Sequence, residues 1–106
     1  MDFLSIGSVV TLDGSVTKVM IVGIAQIERG SNNTIRDYIG VRYPVGIMGE
    51  QSFVLFDSNE IVDVIHYGYK NKEHEEFVKV INEVIKNMKQ EETFNDNITT
   101  NDSAFE

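Results

Sequence analysis

The sequence predicts an α+β domain: a curved antiparallel sheet or small open barrel of about five strands, followed by one C-terminal amphipathic helix. Three observations predict it. Between Ile6 and His66, short runs rich in β-branched and aromatic residues alternate with turn residues. After Gly68 the apolar residues recur at helical spacing instead. The chain has 106 residues, the length of one domain.

The first five residues form a short leader from which Phe3 and Leu4 can dock. Ile6 to Leu12 is the first predicted strand. Asp13-Gly14 is a hairpin signal, because glycine supplies the positive φ of a tight turn. Val16 to Ile27 is the second strand. Its middle, VMIVGIA, is apolar on both faces, which predicts a central position, and Gly23 suggests a bulge or a close approach. Glu28 to Asn33 is a polar loop with strong turn chemistry.

The stretch Thr34 to Gly49, TIRDYIGVRYPVGIMG, organises the rest. From Ile35 to Tyr43 the side chains alternate, with Ile35, Asp37, Ile39, Val41 and Tyr43 on one face and Arg36, Tyr38, Gly40 and Arg42 on the other. The first set is mainly apolar and is expected to point inward. The second is expected to be wet. Gly40 suggests a bulge, a bend or a place where something packs close to the backbone. Pro44 cannot continue a central ladder and ends the strand.

Gln51 to Phe56 is the fourth strand. Asp57 and Glu60 stand at capping-box spacing, which predicts one helical turn. A short fifth strand from Val62 to His66 follows, with a helix as the competing reading. Asn71 can cap the last element, a helix from about Lys72 to Gln90. Phe77, Ile81, Val84, Ile85 and Met88 are expected on its buried side. The domain is thus placed at residues 1–90, and residues 91–106 are expected to be a disordered acidic tail.

Composition bounds the function. The formal net charge is −8, and five of the acids fall in residues 91–106, which carry no base. The basic footprint of a nucleic-acid binder is missing, and acidic membrane surfaces are disfavoured for the same reason. There is no cysteine, hence no disulfide and no thiolate chemistry. No apolar run approaches membrane-spanning length and the start is not a signal peptide, so the expected location is cytoplasmic.

The opening IGSVVTL, the VMIVGI strand, DYIGVRYPVGIMG and the segment FDSNEIVDVIHYGY before the charged helix together resemble a family of small uncharacterised proteins of Gram-positive bacteria. Its members are encoded near type VII secretion genes and polymorphic toxins with LXG domains. The resemblance covers residues 6–85 and implies an accessory role in toxin export or handling. It brings no catalytic residues.

Candidate chemistry is sparse. Asp57, Glu60 and Asp63 would share a helix face and could hold a hard cation, but the spacing also reads as a capping box plus a surface acid. His66 and His74 lie on separate elements without a triad pattern. No phosphate-loop motif occurs. No catalytic residue, cofactor or metal is therefore expected. Tyr38, Tyr43, Tyr67 and Tyr69 form the set with most to offer. If strands three and five were close, these rings could make an exposed patch with Arg36 and Arg42, the residue types enriched at protein interfaces. The competing reading is that some of the rings pack in the core. The expected binding residues are Arg36, Tyr38, Arg42, Tyr67 and Tyr69. The expected function is a non-enzymatic adaptor or chaperone-like accessory of type VII export of LXG toxins, binding a secreted toxin or its targeting factor. The alternative is an immunity protein that binds a toxin's catalytic domain, for which acidic charge suits a basic target.

Overall fold

The computed structural model describes residues 1–28 and 34–97. Five strands, β1 (Val9–Leu12), β2 (Lys18–Glu28), β3 (Thr34–Tyr43), β4 (Phe53–Phe56) and β5 (Ile61–His66), precede one helix, α1 (Lys72–Asn97). All pairings are antiparallel and the order is β4-β3-β2-β1-β5. This is the α+β architecture that the alternation of strand and turn signals predicts. The fifth segment is a strand, and the turn before it is a single 3-10 turn over Ser58–Glu60.

The sheet has to curl. β4 and β5 are its two edges, yet only Asp57 to Glu60 separate them in the chain. Five flat strands would put the edges roughly 19 Å apart. The link from Phe56 to Ile61 reaches about 17 Å if fully extended, and its 3-10 turn shortens it further. The edges therefore approach each other at this end, and the sheet is an open barrel. Irregularities supply the bend. β2 shifts register between Ile21 and Gly23, and β1 shifts twice against β5. The bulge expected at Gly23 is present.

The core lies between the curled sheet and the leader and helix that cross it. Val10, Val19, Ile21, Ile24, Tyr38 and Phe56 come from the strands, Phe3 from the leader and Val78 from α1. The leader docks as its apolar residues suggest. The Phe3 ring meets Tyr38 edge-on at 5.9 Å between centroids. The Met1 ammonium donates to Asn82 Oδ1, and Asn82 Nδ2 donates back to the Met1 carbonyl, which ties the leader to α1. Asn71 caps the helix, its Oδ1 accepting from the His74 amide.

Three expectations are corrected. The face of β3 that carries Tyr38 and Gly40 is not wet: both residues are buried, and Tyr38 keeps 1% of its exposure. The middle of β3 is in fact covered on both faces, since Val41 is buried too. The reason is legible at Gly40. A Cβ there would sit 2.6 Å from Val19 Cγ1 and 2.7 Å from the Met20 carbonyl oxygen, so the neighbouring strand packs closely on that face. Second, the buried stripe of α1 matches the expected one at Ile81 and Ile85 but runs through Val78 in place of Phe77 and Val84. Val78 is its most buried member, with Ile81 and Ile85 packed beside it, while Phe77 and Val84 are exposed. Third, α1 continues past Gln90 to Asn97. The rest of the tail, residues 98–106, lies outside the described residues, as do residues 29–33 of the expected polar loop.

Candidate interaction surface

The residues expected to form one patch are distributed over four places. Tyr38 belongs to the core. Its ring packs on Phe3 and, at 5.4 Å between centroids, on Phe56, and its hydroxyl accepts a hydrogen bond from the Leu4 amide at 2.9 Å. Burial raises its pKa above the ordinary tyrosine value, against the lowering effect of the Leu4 hydrogen bond. Its partners and burial leave it no surface for a ligand.

Arg36 ties β3 to the link between β4 and β5. Nε donates to Asp57 Oδ2 at 3.2 Å, and Nη2 donates to Glu60 Oε2 at 3.0 Å. Nη2 also reaches the Leu55 carbonyl. Glu60 in turn accepts from the Asp57 amide, the reciprocal half of the capping box that the spacing predicts. Asp37 completes the join by accepting from both the amide and the hydroxyl of Ser58 at 2.9 Å. The carboxylates of Asp57 and Glu60 are thus engaged by Arg36 and by backbone amides, while Asp63 stands exposed on β5. Among the described residues, no group of three or more His, Cys, Asp or Glu side chains is placed to hold a metal ion.

Tyr67 and Tyr69 are exposed, but they follow the end of β5, which pairs with β1 and not with β3. Their segment is fixed instead to the entry of β1. The Gly68 amide donates to Ser8 Oγ at 2.9 Å, and a Cβ on Gly68 would collide with the Ile6 carbonyl oxygen, so only glycine fits. Tyr67 and Gly68, with Lys70, border a cleft of about 260 Å³ whose other wall is the leader from Asp2 to Ser5. The two histidines serve separate elements. His66 is an exposed strand-end residue, and His74 Nε2 lies 3.2 Å from the Phe3 carbonyl oxygen.

Arg42 also sits on an open surface. It is exposed at the end of β3, beside the β3–β4 tip. The tip begins with the cis Tyr43–Pro44 bond and is held by backbone contacts: the Gly46 amide donates to the Arg42 carbonyl, and the Met48 amide donates to Ser52 Oγ. The tip turns apolar side chains outward. Tyr43, Val45, Ile47 and Met48 are all exposed, Met48 at 77%. Arg42, Val45, Met48 and Gln51 line an open cleft of about 320 Å³. Sequence reasoning stopped at Pro44 and Gly49 as turn markers. The missed signal is the three large apolar residues held between them in a segment with no ladder to bury them.

The geometry defines a small open-barrel α+β domain with an exposed apolar tip. Residues 3–77 match the family described as a domain of unknown function, DUF4176, and the chain belongs to it. Neither a curated protein nor a solved structure matches the chain. No helix among the described residues is long and apolar enough to cross a membrane.

Proposed function

We propose that this protein is a non-enzymatic binding module, an adaptor or chaperone-like accessory for the type VII export of LXG toxins in Gram-positive bacteria. The partner is a secreted toxin or its targeting factor. One observation carries the protein-binding part of this reading: Val45, Ile47 and Met48 stand out from the domain next to Arg42. Clustered exposed apolar residues are costly in water and mark interaction sites. Methionine adapts its shape to a partner, and arginine makes forked hydrogen bonds at the rim. The secretion setting rests on the sequence resemblance.

The test is a pull-down of each half of the neighbouring toxin with the full chain and with a variant carrying Ile47→Asp and Met48→Asp. Capture of the N-terminal export half by the parent, lost in the variant, supports the adaptor. Capture of the catalytic half instead makes the protein an immunity factor.

A further inference from the structure

The helix carries two apolar stripes, and the fold uses one. Val78, Ile81 and Ile85 face the core. Phe77, Val80 and Val84 repeat the same three-and-four spacing one residue earlier, and they remain 47%, 58% and 45% exposed. A helix that buries one face of a domain normally turns charge or polarity outward, so a second aligned stripe is surplus to folding. The stripe is not isolated. Val84 also lines an apolar groove of about 90 Å³ with Ile27, Ile35 and Met88, between α1 and the far end of the β2–β3 pair. The apolar surface therefore runs from the outer face of α1 down into the groove.

Among the described residues of α1, the charges that border the outer stripe have one sign. Glu73 and Glu76 stand one turn before Phe77 and Val80, and Glu83 stands three residues after Val80, so all three border the stripe. All three are exposed. Lys79 and Lys86 fall at neither three nor four residues from any stripe residue, and so lie around the helix from it.

We infer that this stripe and groove dock a basic amphipathic helix, an apolar ridge flanked by Lys or Arg, supplied by the protein partner. Helix-on-groove docking needs an apolar seat with anchors at helical spacing, which the stripe provides. The acidic border selects the flanking charge of the occupant. It also argues against a second copy of this chain, which would bring its own glutamates against these. The inference rests on the protein-binding reading and gives it a second surface, so that the tip and the helix can engage different partners at once.

The probe is a synthetic amphipathic helix of about five turns, with leucines on one face and lysines beside them. A matched peptide carries glutamates in place of the lysines. Each is titrated into the isotope-labelled full chain while amide shifts are followed. The lysine peptide shifts the amides of residues 73–88, binds at least tenfold more tightly than the glutamate peptide, and weakens as salt screens the pairing. Val80→Ser with Val84→Ser lowers its affinity at least tenfold. Glu76→Lys with Glu83→Lys leaves the apolar stripe intact and reverses the peptide preference, which separates docking from any loss of fold. Equal binding of both peptides, or no binding, overturns the inference. So does a chain that sediments as a dimer and becomes a monomer with Val80→Asp. Shifts confined to residues 43–53 overturn it too, while leaving the tip as the binding site.

Discussion

The two halves of the stretch from Thr34 to Met48 have similar residues and opposite fates. In the first half, Tyr38 and Gly40 are sealed beneath the leader and against β2. In the second, Val45, Ile47 and Met48 face water. The difference is not one of hydrophobicity. The first half lies in a ladder with β2 on one side and β4 on the other, so its side chains are delivered to a core. The second half leaves the ladder at Pro44, with its backbone turned back on itself. Apolar residues in a ladder are accounted for by folding. Apolar residues outside one need another reason to be there, and binding is the reason proposed.

The largest effect is expected at Tyr38. Reading it as an interface residue predicts that Tyr38→Ala leaves the fold intact. Its burial between Phe3 and Phe56 predicts a loss of about 3–5 kcal/mol, the scale for truncating a core aromatic. Urea denaturation followed by circular dichroism decides between the two. A change below about 0.5 kcal/mol, the scale of surface substitutions, would return Tyr38 to the surface.

Gly40→Ala should cost about 1–3 kcal/mol, as overpacking does. The added methyl meets the Met20 backbone, which cannot rotate away as a side chain can. The same denaturation experiment measures it. An unchanged midpoint would mean that β2 and β3 are farther apart than described.

These two residues also show how far the sequence could be read. The number of strands, the turn at Ser58–Glu60 and the cap at Asn71 are local matters, and spacing revealed them. Which face of β3 is buried is not local. Alternation sorted the side chains into two sets correctly, but the choice between the sets depends on what crosses the sheet. Here that is a leader containing Phe3, some thirty-five residues away in sequence. The helix was legible at Ile81 and Ile85, but the choice between Phe77 and Val78, both at helical spacing from Ile81, was made by the fold. Of the expected site, Arg42 stays on an open surface, Arg36 is engaged with Asp57 and Glu60, and Tyr67 and Tyr69 are exposed elsewhere.

A subtler effect follows from the Tyr38 hydroxyl. Tyr38→Phe keeps the ring and removes the acceptor of the Leu4 amide, a cost of about 1 kcal/mol. Alkali should narrow the difference. The unfolded tyrosine releases its proton near pH 10.0, while the buried one still holds it. The unfolded state then binds fewer protons, so the contribution of Tyr38 is complete below pH 10.0 and is lost as pH rises through the higher folded pKa. Melting midpoints taken across that range should fall more steeply for the parent than for Y38F. Parallel curves would mean that the hydroxyl is solvated.

The smallest effect on stability is expected where the largest effect on function is. Ile47→Ser with Met48→Ser removes two exposed apolar side chains from a tip whose turn is set by backbone hydrogen bonds and by Ser52, none of which the substitutions touch. Stability should change by less than about 0.5 kcal/mol, as for surface positions without special partners. Affinity for the partner should fall by on the order of 2 kcal/mol, the scale of interface anchors, read by calorimetry with the captured toxin half. The pairing of outcomes carries the meaning. If stability falls together with binding, the tip packs against the domain and its apolar residues belong to the fold, as Tyr38 does. If neither changes, the tip is a solvated turn, and the helix stripe becomes the surface on which a partner has to be sought.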